Sequence, residues 1–344
     1  MTPRMTQQRI AELAGVSQTT VSLVLNGKLD SARIPEATRQ RVLDVINETT
    51  YVADPAARRL IGHGNNLVGV FTYEHAFPRE TSDFYTPLLT GIESEAEKLG
   101  LDLLVFTSAP VIDGHRRILH ERSRLRLADG CLLLGREMDA GELTWLSESG
   151  YPFVSVGRRD VSGIRWVGLD YKAASSELAG RIIAAGHERA LYVHLSLNAE
   201  SSRDRAEGLV DRLRAAGVTV TTAGLADASV TTVVDLVRSS RATVLVVEDP
   251  TEAEELHAAL HVGGIAVPSR LSMVVLGERS RPQDQAIDFT RLSAPRIRLG
   301  SAAMALLNQA LKGDDETDGA LPQQQLLRCA IVDGSTLTQP TSAR

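Results

Sequence analysis

Apolar positions in the N-terminal stretch recur with a helical period, and beyond residue 66 they bunch into short continuous runs separated by helical stretches. Ile10, Ala11, Leu13 and Ala14 predict the inner stripe of a first helix. Gly15 offers a turn position open to positive φ, and Ser17 an N-cap for a second helix that turns Val16, Val21, Val24 and Leu25 inward. Gln18, Thr19, Ser22 and Leu23 are left on the outer, N-terminal face. Two helices joined by so tight a turn form a unit that lays side chains against base edges in the DNA major groove. Pro35 suits the first turn of a third helix, with Val42 and Ile46 on its buried side. Asp54-Pro55 then supplies an N-cap and a first-turn proline for a short helix through Leu60, ended by Gly62 and Gly64. Such a helix cannot hold itself together in water, because nucleation is costly and few hydrogen bonds follow, so it is expected to order only when two copies meet on DNA.

Downstream, strands are predicted at Leu67–Thr72, Leu101–Phe106, Gly130–Leu134, Phe153–Val156, Ala190–Val193, Val244–Val247 and Ser272–Leu276. Helices are predicted at Thr86–Leu99, Ser175–Ala185, Arg203–Ala216, Glu252–Val262 and Leu299–Leu311. Nearly unbroken apolar strands between helices indicate parallel sheets covered on both faces, hence an α/β body. Lys28–Ile34 and Gly313–Gly319 read as surface loops, and Gln339–Arg344 as a loose tail.

Ala14-Gly15-Val16-Ser17, Thr20-Val21-Ser22 and Val24-Leu25-Asn26 are followed by Thr38-Arg39-Gln40-Arg41-Val42, by Tyr51 and by Asp54-Pro55-Ala56-Ala57-Arg58-Arg59-Leu60. In this order they resemble the lactose-repressor (LacI-type) family of bacterial transcription regulators, and the resemblance runs to about Ser335. It implies an α/β protein: an N-terminal all-α helix-turn-helix head, then a periplasmic-binding-protein-like body of two doubly wound parallel-sheet subdomains. Residues 1–64 would be the DNA-binding domain, with a hinge helix at about 54–62, and 65–344 the effector-binding and dimerisation body. Within the body, subdomain 1 would take about 66–168 and 296–326, and subdomain 2 about 169–293 and 327–338, with Thr290–Pro295 as a crossing segment.

The implied function is that of a homodimeric transcriptional regulator, a repressor before an activator, on a pseudo-palindromic double-stranded DNA operator, modulated by a small molecule. Ser17, Gln18, Thr19, Thr20, Ser22, Leu23, Asn26, Tyr51, Ala57 and Leu60 would meet the DNA. The leucine equivalent to Leu60 wedges between base pairs in the family, as an apolar side chain can; a flexible linker is the bland alternative. Many relatives carry arginine where this chain has Leu23, which offers only an apolar contact such as a thymine methyl, or packs against the head. In the body, Arg205 with Gly208 matches the family's Arg-x-x-Gly, whose arginine reaches the effector. Tyr73, Phe84, Arg158, Asp170, Glu248, Asp249 and Glu278 fall near other effector positions. Two departures matter. Glu248-Asp249 stands where sugar-binding relatives have Asn-Asp, and Val275-Leu276-Gly277, then Glu278, where they have Gly-Phe-Asp. Short planar Asp and Asn groups suit vicinal hydroxyls, so a sugar is in doubt. A cationic or amine-bearing ligand, a different polyol, or no ligand stays open.

Composition agrees with a small head and a larger body, because 344 residues exceed one compact core of ordinary size. Residues 1–64 hold eight Lys/Arg against six Asp/Glu, while the whole chain carries −6, an asymmetry that suits a head meeting phosphate. The two cysteines, Cys131 and Cys329, lie in apolar runs and read as buried thiols. With no N-terminal apolar run and no stretch able to span a bilayer, a cytoplasmic location and no membrane partner are expected. No Gly-x-Ser-x-Gly, phosphate-binding glycine loop or zinc-spaced Cys/His cluster occurs, so no enzyme, cofactor or metal is expected. His257 and His261 share a helix face in HAALH without a catalytic glutamate. The rival readings are a small-molecule binding protein that uses only the body, and a regulator that has lost effector response.

Overall fold

The computed structural model describes residues 5–25, 34–49, 64–74, 84–112, 115–196, 198–225, 229–278, 287–313 and 323–341. The chain separates into two compact units, Met1–Asn65 and Asn66–Arg344.

The first unit is built on α1 (Gln7–Ala14), α2 (Gln18–Leu25) and α3 (Glu36–Glu48). Thr6 caps α1 by accepting from the Arg9 N–H at 3.2 Å. Gly15 ends it at φ +66°, a left-handed position that admits glycine without strain and sets the tight turn into α2. Ile10, Ala11, Ala14, Val21, Val24 and Val42 close the small core, with Leu25 and Ile46 packed on its edge. Leu13 corrects the expected inner stripe, since it is 49% exposed. At 3.6 residues per turn it points about a hundred degrees away from the axis that Ile10, Ala11 and Ala14 share.

The second unit holds two six-stranded sheets. The first contains β1 (Leu67–Thr72), β2 (Asp102–Phe106), β5 (Gly130–Leu134), β6 (Phe153–Val156), β7 (Trp166–Leu169) and β13 (Gln324–Leu327), while β3 (Val111–Ile112) and β4 (His115–Arg116) form a separate hairpin. The second contains β8 (Arg189–His194), β9 (Thr219–Gly224), β10 (Val244–Val247), β11 (Ser272–Val275), β12 (Thr290–Ser293) and β14 (Ala330–Val332). Their orders, β2-β1-β5-β6-β7-β13 and β9-β8-β10-β11-β12-β14, repeat one pattern. Within these two sheets every described pairing is parallel except β12 with β14. The chain passes between the sheets at Asp170, again at Ala294–Pro295 and again at Arg328–Cys329.

The covering helices are α4 (Tyr85–Leu99), α5 (Ala140–Glu148), α6 (Tyr171–Ala184), α7 (Glu200–Ala206), α8 (Arg212–Ala215), α9 (Val230–Ser240), α10 (Pro250–Val262) and α11 (Arg296–Lys312). Central strands are buried along their whole length because helices cover both faces, and that produces their unbroken apolar runs. Cys131 and Cys329 are buried free thiols, and burial pushes the latter up to about 11. The expected loose tail needs correcting over residues 339–341. Thr338 N–H donates to Ser272 Oγ at 3.0 Å, and Thr341 Oγ1 donates to the Ser269 carbonyl, which ties this strand of chain to the second sheet's half.

Candidate functional site

In the head, Gln18 and Thr19 stand exposed at the start of α2, whose N-terminus is closed by Ser17: its Oγ accepts from the Thr20 N–H at 3.1 Å and lies 2.9 Å from Thr20 Oγ1. Ser22 and Leu23 are half-buried, so Leu23 both packs and presents an edge. Asn26, Tyr51, Ala57 and Leu60, with the hinge helix expected at about 54–62, lie outside the described residues.

In the body, each sheet changes direction between its first strand and the next one inward, β1 with β5 and β8 with β10, and ligands of such sheets bind beyond the carboxyl ends of strands at that point. A cavity of about 140 Å³ occupies this place. Phe84, Arg158, Arg205, Glu248, Asp249 and Glu278 line it. Tyr73 and Asp170 do not. Tyr73 turns into the core, edge-on to Phe71 with ring centres 5.0 Å apart, and its hydroxyl donates to the buried Glu142 at 3.0 Å. Asp170 caps α6 instead, accepting from the Ala173 N–H at 3.0 Å. Sequence reading missed Arg136 and Arg159, although both follow strands and the carboxyl-end rule would have found them. It also missed Tyr171, Asp204 and Arg296, which reach the cavity from helices and carry no linear signal.

Glu248 is the buried centre of the second sheet's half, 3% exposed. Its oxygens accept from Ser202 Oγ at 2.6 Å, the Leu195 N–H at 3.0 Å, the Tyr192 hydroxyl at 3.3 Å and Arg205 Nη1 at 3.5 Å. Burial, then the charge of Glu248, pushes the Tyr192 hydroxyl far above its ordinary range and keeps it a donor. Arg205 stacks on Tyr171, its guanidinium carbon 3.5 Å from the ring centre, and donates to the Leu276 and Ser201 carbonyls. Gly208 makes that placement possible. A Cβ there would stand 2.1 Å from the Lys172 carbonyl oxygen, so only glycine lets the segment after α7 approach α6 this closely. The same segment, Glu207–Asp211, is a π-helical turn, a local widening that recurs at functional sites.

A row of charges joins the two halves across the cavity mouth. Arg158 holds Asp204 in a two-pronged pair at 2.7 and 2.8 Å and also bonds Asp160. The buried Arg159 donates to Glu200 at 2.8 Å and to the Gly135 carbonyl, Arg203 pairs with Asp160, and the Asn198 N–H donates to Glu137 at 2.7 Å. The hydrogen bond from Arg158 holds the Asp160 carboxyl below its usual range. Among the described residues no group of three or more His, Cys, Asp or Glu is placed to hold a metal ion, and His257 stands edge-on to Phe289. No helix of the described residues is long and apolar enough to cross a membrane.

A capped helix-turn-helix head and a paired-sheet body with a cleft define a regulatory protein of the periplasmic-binding-protein-like class. Residues 6–54 match "Bacterial regulatory proteins, lacI family", and residues 75–251 match "Periplasmic binding proteins and sugar binding domain of LacI family". The chain therefore belongs to the LacI family of bacterial regulatory proteins, a family of regulators rather than enzymes. It is 30% identical over 222 residues to the HTH-type transcriptional regulator CelR of Thermobifida fusca, a match covering 62% of this chain and 63% of that protein. It is 25% identical over 281 residues to the HTH-type transcriptional regulator AscG of Escherichia coli, covering 78% and 81%. The chain thus spans just under two thirds of the length of the first of these. Its fold matches a Lac repressor dimer bound to operator and the anti-inducer ONPF, with a TM-score of 0.76 at 20% identity over 98% of this chain and 100% of that one. It also matches a CelR–cellobiose complex, with a TM-score of 0.65 at 21% identity over 97% and 100%.

Proposed function

We propose that this protein is a cytoplasmic, homodimeric repressor that reads a pseudo-palindromic DNA operator and answers to a small molecule in the body cleft. The observation that carries the reading is the exposed pair Gln18 and Thr19 at the start of a capped α2, in a head distinct from the body that holds the cleft. It is supported by relatives named as transcriptional regulators and by the solved complexes of similar fold with operator and with cellobiose. Each head reads one half-site through Gln18, Thr19 and Leu23, with Ser17, Thr20, Ser22 and Asn26 on phosphates. The functional division is a head and hinge over residues 1–64 and a body over 65–344, with Tyr51 and Ala57 near the DNA and Leu60 of each hinge wedged at the centre of the site. Effector binding opens or closes the two halves of the body and so biases whether the hinges fold together; a coupling of about 1–3 kcal/mol is the usual scale.

Selection of bound duplexes from a random pool by the purified chain tests this. A two-fold symmetric motif is expected, and the Gln18→Ala variant loses preference at one base of each half-site. No enriched motif removes the regulator reading; a Gln18→Ala variant that binds all DNA more weakly with its base preference intact removes Gln18 as a base reader.

A further inference from the structure

We propose that the body cleft takes a small organic acid, a carboxylate on an apolar body of about ring size, in place of a neutral sugar. The inference rests on the effector reading above and names the chemistry of that effector.

Charge alone does not decide the matter. Five arginines and four carboxylates line the cavity, and Glu200 behind the wall balances Arg159. Hydrogen-bond capacity does decide it. A sugar needs acceptors with open lone pairs, and few are left on the four lining carboxylates, each of which already accepts from the protein. Glu248 accepts from four groups, and Asp204 has both oxygens on Arg158. Asp249 caps α10 through Oδ1, which accepts from the Thr251 and Glu252 N–H groups, with Oδ2 3.8 Å from Arg136, and Glu278 Oε1 accepts from Ser293, with Oε2 3.9 Å from Arg291. No Asn or Gln lines the cavity among the described residues. Donors, in contrast, are left over. The Arg136 guanidinium makes no hydrogen bond among the described residues and only approaches Asp249 at 3.8 Å. Arg205, stacked on Tyr171, uses Nε and Nη1, and its Nη2 makes no hydrogen bond among the described residues. Planar guanidinium forks with spare N–H groups match a carboxylate, which offers two oxygens in the same plane.

Beside the hydroxyl-bearing Ser201, Ser202, Tyr85 and Tyr171, the wall carries an apolar side of Phe84, Leu134, Val156, Leu169, Leu276 and Leu292. Its volume of about 140 Å³ is close to that of a protein cavity of roughly 150 Å³ that holds benzene, which leaves room for a ring and little more. The apolar side of the wall also disfavours a sugar phosphate, whose body is polar all round.

The departures at Glu248-Asp249 and Gly277-Glu278 acquire a meaning from this arrangement. The acids there do not await a cationic ligand; they orient the arginines that meet an anionic one.

The test is calorimetric titration of the full chain with benzoate and cyclohexanecarboxylate, with their amides, and with glucose and cellobiose. Both acids are expected to bind and the amides and sugars not to. Affinity for the acids should fall as salt rises. Arg136→Gln, at a half-exposed position, should keep the melting temperature of the unliganded protein and weaken the acids about tenfold, the usual consequence of losing one charge-assisted hydrogen bond. Binding of an amide or a sugar as tight as that of the acids overturns the proposal, as does failure of both acids to bind. Operator binding is measured on the same preparation. DNA binding without acid binding sinks the ligand class alone, whereas acid binding without DNA binding sinks the regulator reading alone.

Discussion

In the first half of the body, β5 and β6 run out into Arg136 and into Arg158 and Arg159; in the second, β10 and β11 run out into Glu248 and Asp249 and into Glu278. The two halves share one strand order, so the same loops reach the same cleft from opposite sides. What differs is charge sign. Each half buries one such group, Glu248 among four donors and Arg159 against Glu200 and the Gly135 carbonyl, while Arg158 keeps a quarter of its side chain exposed. A shared topology therefore fixes where side chains converge, and the residue placed at each strand end fixes what they do there.

The comparison is broken most severely at its buried acid. Glu248→Ala should destabilise the body by about 3–5 kcal/mol in urea unfolding, because it leaves Arg205 and Tyr192 buried without their acceptor. A loss under about 1 kcal/mol, the scale of an exposed ion pair, would put Glu248 on the footing of the exposed pairs. Next comes Gly208→Ala, which forces a methyl against the Lys172 carbonyl and should cost about 1–3 kcal/mol while moving Arg205 off Tyr171. The joining row of charges is the smallest effect. A double-mutant cycle on Arg158 and Asp204 should give a coupling of about 1–2 kcal/mol at low salt and less at high salt. The Asp160 carboxyl sets its pH dependence. Its native value is depressed, so its contribution is present at neutral pH and is lost as pH falls through and below the usual carboxylate range, under about pH 4. Asp160→Asn should remove that part of the acid sensitivity.

Much of this frame was legible in the residues. Leu67–Thr72, Gly130–Leu134, Phe153–Val156 and Val244–Val247 form strands with the predicted limits, because a strand buried on both faces is mostly apolar along its run. Trp166–Leu169 is as buried as these and was overlooked, and the edge strand Thr219–Gly224 is half polar and did not stand out. Helix Val230–Ser240 was overlooked although Val233, Val234 and Val237 keep helical spacing. At the site, Arg205 and Gly208 could be picked out as a motif, while the partner each needs, Tyr171 and the Lys172 carbonyl, lies on another helix.

Local chemistry determined the capped turn at Gly15–Ser17, the α/β alternation and the family, because caps, turns and apolar periods act between near neighbours in the chain. Only the tertiary structure decided that Tyr73 and Asp170 face away from the cleft, and that Arg136, Arg159 and Arg296 face into it. It alone showed that the acids at 248 and 249 are engaged by the protein's own donors. Whether a charged group is free for a ligand depends on what stands opposite it, and in a sheet closed by long crossovers the groups opposite come from residues far away in sequence.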